Sequence, residues 1–411
     1  MDYRVAFLAP LFLWLGTGTT TRQAPPIDPP RAVAPRSDAE EYAAVNNAFG
    51  LKLFAELRAK DGNVLFSPYG LTTALAVPYA GSRGDTAEQM RRAVGFPEQD
   101  RLYAAQRAWA DALAPAKRGR QFELSSASGL WTQTPFRVEK DFALKLRDSL
   151  DVQVAGLDMA GNPEAAAREV NEWVAGRTRN MIRTVVTPDA LGSSRSLLVS
   201  AACLKAGWEY PFEKVFTAKA PFRTRGGGAV ETDYLKQTAE LDYGEEKGVQ
   251  FVSLPYRGGL RMFVVLPRTT DGLGAVEPTL TPANLARWSG ELRPHNVELS
   301  LPKVRIAVDT ELCAPLAALG LSAAFTKDAN FSGFGDAAGV HLGPVVHRAW
   351  VAFHEAGTDA AAATISPLGT TSVPEPKPKA EVVADRPFVF LIQDVKTGTI
   401  LFLGRVADPR R

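Results

Sequence analysis

The sequence predicts a mixed α+β domain with several sheets, and three observations carry that prediction. Helical apolar spacing and helix caps concentrate in the first half of the chain, and continuous apolar runs of strand length concentrate in the second. There is no internal repeat and no regular strand–helix alternation of the kind that builds a parallel doubly wound sheet. The 411 residues are 45% hydrophobic and 22% charged, enough to fill a large core.

In chain order, the polar start Met1-Asp2-Tyr3-Arg4 precedes an apolar run from Val5 to Leu15 and the small residues Gly16-Thr17-Gly18. This reads as a signal peptide over residues 1–20, too short for a comfortable membrane span, and implies secretion to the extracellular space or periplasm. Residues 21–37 are rich in Pro, Arg and Ala and read as a disordered linker, so the folded domain is expected over 38–411. Tyr42, Val45, Phe49, Leu53 and Leu57 recur at helical spacing. Ser67 before Pro68 marks a helix start, with Pro78 late in that helix as a candidate kink. Thr86 with Gln89 predicts a capping box, and Asn162-Pro163-Glu164 opens a helix carrying Trp173 and Val174. Phe388–Ile392 and Ile400–Leu403 flank Asp394–Gly398 and predict a hairpin buried on both faces.

The most informative segment lies between the strand-like run Val345–Phe353 and a tether holding Pro367, Pro374, Pro376 and Pro378. It reads Glu355-Ala356-Gly357-Thr358-Asp359-Ala360-Ala361-Ala362-Ala363-Thr364. An alanine tract alone favours helix. Taken as a strand, Thr358, Ala360, Ala362 and Thr364 share one face, and Gly357, Asp359, Ala361 and Ala363 share the other. The first face carries no charge and nothing large, so the segment could slide between two existing strands without a clash.

Other chemistries find little support. The formal net charge of +2, without basic runs interleaved with aromatics, argues against a nucleic-acid footprint. No Gly-x-Ser-x-Gly elbow, phosphate loop or dinucleotide fingerprint occurs, so no enzyme activity and no cofactor are expected. His347 and His354 are an odd number of residues apart on one strand, hence on opposite faces, and no metal site is expected among the four histidines. Two cysteines, Cys203 and Cys313, rule out a disulfide framework and leave a single bridge possible but unsupported.

Over residues 38 to 411 the chain resembles the serpins. The resemblance rests on Asn63–Pro68, Gly81–Met90, Val170–Val174, Lys205–Phe212, Leu301-Pro302-Lys303, Asp328–Gly333, Gly357-Thr358, Arg386-Pro387-Phe388 and Thr399–Val406, in that order and spacing. It implies about nine helices around three β-sheets with an exposed reactive-centre loop, here about 355–384, in a monomer without stable membrane association. It places Cys203 on a central strand and Cys313 on a distant helix, as two free buried thiols. It implies inhibition of a serine protease by a suicide mechanism, in which the loop is cut and residues about 357–371 enter the central sheet as a new strand. Gly357 and Thr358 would then lead the hinge. Glu355 matches the hinge acid and Lys303 its salt-bridge partner. Trp208 matches the tryptophan beneath the point of insertion, and Ser67, Pro68 and His347 match the region that must part. Ser200 stands where the family usually has asparagine, which implies a weaker or water-mediated link to His347. Counting from Glu355 as the first residue, the seventeenth is Thr371, which puts the reactive bond at Thr371–Ser372; the loop is longer than usual downstream. A small β-branched Thr371 suits an elastase-like protease, with subtilisin-like and chymotrypsin-like enzymes as further candidates. A non-inhibitory serpin, such as a carrier, chaperone or storage protein, is the alternative.

Overall fold

The computed structural model describes residues 37–410 except 115–120, 193, 226, 336–338 and 359–376. The expected signal peptide, all of the linker but Ser37, the hinge residues Asp359 to Thr364 and the bond Thr371–Ser372 lie outside the described residues.

Helix α1 (Asp38–Leu57) opens with a capping box in which Ser37 and Glu40 satisfy each other's backbone N–H groups, and it buries Tyr42, Phe49, Leu53 and Leu57. After β1 (Val64–Phe66), α2 (Pro68–Gly81) starts where Ser67 Oγ accepts from Gly70 N at 3.0 Å. All of α2 but Tyr69 is buried, and it continues through Pro78 to Gly81. α3 (Gly84–Met90) departs from expectation. It begins two residues before Thr86, at a glycine with φ +54°, and has no side-chain cap. Thr86 Oγ1 instead accepts from Asn330 N at 3.0 Å and Gln89 Oε1 from Ala323 N at 2.9 Å, so distant partners take both side chains of the expected box. α4 (Gln99–Leu113) follows, then β2 (Phe122–Gln133), α5 (Lys140–Leu150), β3 (Gln153–Leu157) and α6 (Pro163–Arg177), the last capped by Asn162 as expected.

The later half is mostly strands: β4 (Ser196–Gly207), β5 (Ala218–Arg223), β6 (Ala229–Glu246), β7 (Val249–Tyr256), β8 (Leu260–Pro267), β9 (Arg293–Pro302) and β10 (Val304–Glu311). The short helices α7 (Leu273–Val276), α8 (Pro282–Glu291) and α9 (Cys313–Leu316) interrupt them. β11 (Val345–His354), the two-residue β12 (Gly357–Thr358), β13 (Lys379–Val383), β14 (Phe388–Asp394) and β15 (Ile400–Val406) complete the chain. β14 and β15 are buried at every position, as their unbroken apolar runs require.

One sheet has the order β10-β11-β12-β4-β2-β3. β4 shows why it must be covered on both faces. Leu198, Ala202 and Leu204 join the main core on the α2 side, whereas Leu197, Val199, Ala201 and Cys203 join a second core built with Ala166, Val170 and Val174 of α6. The other strands form a nine-stranded assembly, β1-β15-β14-β8-β7-β6-β9-β13 with β5 also on β6. Two of the three expected sheets are therefore continuous by hydrogen bonding. The 18-residue β6 joins them, pairing with β5 through its first residues, with β9 from Tyr234 to Tyr243 and with β7 at its end. Cys203 is buried and Cys313, expected to be buried, is half-buried against the Gly343 carbonyl; the two are not bridged to each other.

Candidate functional site

β11 and β4 run parallel and are paired from Val345–Leu198 to Trp350–Cys203. Beyond that pair they diverge. β11 runs on to His354, turns at Glu355-Ala356, and comes back as β12 into the gap. There Thr358 pairs with Phe353 on one side and Ala206 on the other, and Gly357 with His354 and Gly207. Gly357 and Thr358 are thus already a strand in the middle of the sheet.

Glycine is required at 357. Its φ is +147°, and a Cβ there would stand 2.1 Å from the Ala206 carbonyl oxygen. Thr358 is fully buried, and its Oγ1 shares a 2.6 Å hydrogen bond with the Tyr256 hydroxyl. Burial pushes the Tyr256 phenol well above its usual range, with the Thr358 bond opposing, so the pair is neutral. Tyr256 stacks on Trp208 at 4.1 Å between ring centroids and 13° between planes. Trp208 holds the turn from below: its Nε1 donates to the His354 carbonyl at 2.9 Å and its backbone N to the Ala356 carbonyl at 3.0 Å.

Glu355 and Lys303, expected as a pair, lie in contact. Lys303 Nζ lies 3.0 Å from Glu355 Oε1, and Thr217 Oγ1 donates to the same oxygen at 3.0 Å. Phe212 N donates to the Glu355 carbonyl at 2.9 Å. Burial works against the carboxylate, but its own backbone N–H, Lys303 and Thr217 outweigh it and hold the carboxyl below its usual range.

Lower in the sheet, Ser128, Ser200 and His347 form one row across β2, β4 and β11. Ser67 N donates to His347 Nε2 at 2.9 Å, which assigns the ring proton to Nδ1. Pro68 follows Ser67 in the first turn of α2, so the start of that helix is tied directly to β11. Among the described residues neither His347 Nδ1 nor Ser200 Oγ has a hydrogen-bond partner, although both are buried. The expected weak link between them is accordingly not a direct bond. Burial pushes the His347 imidazole down to about 3, and the Ser200 carbonyl opposes this without reaching hydrogen-bond geometry.

The structure therefore brings Lys303, Glu355, Gly357, Thr358 and Trp208 to one end of the β11–β4 gap and Ser67, Pro68, Ser200 and His347 to the strands below it. Tyr256, Phe212 and Thr217 belong to the same site and were not anticipated. Phe212 and Thr217 follow Trp208 closely in sequence, which was the available signal; Tyr256 ends a strand that only the tertiary fold brings beneath Thr358. Within the segment expected as a loop over about 355–384, Lys379–Val383 pairs with Asn296–Ser300 of β9 as β13. Among the described residues no group of three or more His, Cys, Asp or Glu side chains could hold a metal.

The profile of the family described as Serpin (serine protease inhibitor) matches residues 44–409. An uncharacterised serpin-like protein of Thermococcus kodakarensis is 32% identical over 376 residues, covering 91% of this chain and 87% of its own length. The leukocyte elastase inhibitor of Sus scrofa is 31% identical over 386 residues, 90% of this chain and 100% of its own. Among solved structures, Serpin48 of the insect Tenebrio molitor, titled a highly specific serpin, superposes with a TM-score of 0.81 at 27% identity, covering 91% of this chain and 100% of its own. An opened sheet with its hinge strand seated, the tryptophan and the lysine–glutamate pair that hold it, and a family match over almost the whole chain lead to one conclusion: this protein belongs to the serpin family.

Proposed function

We propose that this protein is an inhibitory serpin that captures a serine protease as a suicide substrate. The observation that carries the reading is β12. Gly357 and Thr358 occupy the gap between β11 and β4, and the residues that follow, Asp359 to Thr364, keep the Thr358 face free of charge and bulk. A bulky or charged residue on the face shared by Thr358, Ala360, Ala362 and Thr364 would stop insertion, which would favour a carrier or storage role instead; that face carries none, and the charged Asp359 falls on the other.

In this reading the protease serine attacks the Thr371 carbonyl. The Thr371–Ser372 bond breaks, the Ser372 amine leaves protonated, and an ester joins the protease to Thr371. The freed segment extends β12 down the sheet, the strand-addition mode for which serpin loop insertion is a recognised example. About ten new ladder residues, each worth roughly 0.5–1.5 kcal/mol net, give on the order of ten kcal/mol to drag the protease along. A displacement of about 1 Å can cost on the order of a hundredfold in rate, so a distorted active site leaves the ester unhydrolysed.

A small Thr371 and the likeness to a leukocyte elastase inhibitor support an elastase-like target, met outside the cytoplasm by a monomeric inhibitor. Incubation of the purified protein with a panel of elastase-, subtilisin-, chymotrypsin- and trypsin-like proteases tests this. The expected result is an SDS-resistant complex with an elastase-like enzyme and a released fragment beginning at Ser372. Complete cleavage without complex, by every protease that cuts the loop, would establish a non-inhibitory serpin.

A further inference from the structure

Large apolar side chains are rarely left exposed in a cluster without a partner. Among the described residues four stand out, and three of them, Tyr210, Val215 and Phe216, fall within seven residues at 48%, 78% and 55% exposure. The fourth, Val395, sits alone in the β14–β15 turn. The first three belong to the segment that crosses from β4 to β5, and their neighbours fasten the hinge: Phe212 N and Thr217 Oγ1 both donate to Glu355. Phe216 N donates to the Glu213 carbonyl and Thr217 N to the Lys214 carbonyl, so the tip is an ordered turn. Glu213 and Lys214 beside it have opposite charges, which leaves the apolar surface as its distinguishing character.

From this surface we infer that Tyr210, Val215 and Phe216 form a docking site for the body of the target protease, separate from the loop that its active site cleaves. The inference rests on the inhibitory reading above. Chain length and ladder register supply the occupant. If the reactive bond is Thr371–Ser372, it is tethered by five residues to Lys377, a reach of at most roughly 18 Å. Lys377 is ion-paired to Glu240 on β6. Six residues along β6, Tyr234 pairs with Ala218, two residues beyond Phe216, a separation of roughly 20 Å. A protease domain of roughly 200 residues is about 40 Å across. Held at the reactive bond, it spans the distance to the patch. Its contacting surface is therefore apolar or aromatic, and burying the patch slows dissociation of the encounter complex before the loop is cut, which raises the second-order rate of capture.

The test uses the full-length protein and a protease that the wild type traps. Val215→Glu combined with Phe216→Glu is compared with Val395→Glu as an equally exposed control, and with Val215→Ser combined with Phe216→Ser in case the acidic pair folds poorly. The second-order rate of complex formation is expected to fall about tenfold or more in both paired variants, with inhibitor consumed per protease trapped, the SDS-resistant complex and Tm unchanged, and no change for Val395→Glu. An unchanged rate overturns the inference. So does an equal loss with Val395→Glu, or a slower rate accompanied by more inhibitor cleaved per trapping event, which would mark hinge damage. A wild-type dimer that dissociates in the paired variants while the trapping rate holds would assign the patch to a second copy of this chain and also overturn it. A wild type that traps no protease overturns the inhibitory reading itself, a failure distinguishable because it precedes any comparison of variants.

Discussion

At the scale of single residues, Thr358 sits fully buried inside the sheet, where its Oγ1 bonds to the neutral Tyr256 hydroxyl. Thr358→Arg would bury an unpaired guanidinium, a cost of several kcal/mol, or force the hinge out of the gap. The expected outcome is continued cleavage of the loop with loss of the SDS-resistant complex; a variant that still traps protease one for one would refute the role of Thr358. His347 supplies a second test. Its pKa is about 3 in the folded protein against an ordinary value near 6.5, so below about 6.5 the unfolded chain binds the extra proton first. The stability it contributes is complete above about pH 6.5 and is lost as pH falls towards 3, at up to about 1.4 kcal/mol per pH unit. Denaturant titrations of His347→Gln should show a flatter pH profile than wild type in that window, and parallel profiles would deny His347 the role. Thr358 was legible in the sequence because small, charge-free side chains at alternate positions have a direct steric meaning, whereas His347 was placed by the family resemblance alone. Tyr256 was not legible, since no local pattern reveals which distant hydroxyl will face a buried threonine.

At the scale of elements, the fork is the feature that matters. β11 and β4 are zipped up to Trp350–Cys203 and parted above it by two residues of β12. Gly357→Ala tests the fork without adding charge. The new Cβ would meet the Ala206 carbonyl at 2.1 Å, so the hinge must back out or the strand must shift. Trapping is expected to slow and more inhibitor to be cleaved per protease trapped; measured inhibition stoichiometry equal to wild type would show that the close approach is relieved cheaply. Sequence reading succeeded where an element's cause is local, as with the caps Ser67 and Asn162 and the hairpin β14–β15. It failed at Thr86 and Gln89, whose side chains fit a capping box but hydrogen-bond to the backbone of Asn330 and Ala323 in a distant segment. Two of the three sheets that the resemblance implies are linked through β6, which pairs in turn with β5, β9 and β7 along its length.

For the whole molecule, the reading implies a native state that is not its most stable arrangement. Limited cleavage in the loop should raise Tm by well over ten degrees, since the inserted strand adds on the order of ten kcal/mol of ladder bonds. Equal melting of cut and intact protein by calorimetry would rule insertion out. The fold class was legible because motifs spread over the whole length must all keep register in one architecture. The reactive bond was fixed only by a count from Glu355, and mass spectrometry of the released fragment decides it: a start at Ala380 with trypsin trapped would move it downstream. That outcome sits badly with Lys379 being the first residue of β13, paired with Asn296.

The position of β13, β14 and β15 has a further consequence. Cutting the loop at Thr371 turns one polypeptide into two, and the smaller carries three strands of the nine-stranded assembly. It also carries Arg405, fully buried against Glu277 at 2.9 Å and donating to the carbonyls of Arg58, Lys60 and Gly62. The severed piece cannot diffuse away, because leaving would strand a guanidinium's partners and open the core. The loop-cleaved protein is thus expected to behave as an obligate heterodimer of its own fragments, gel-filtering as a single species and coming apart only when it is unfolded.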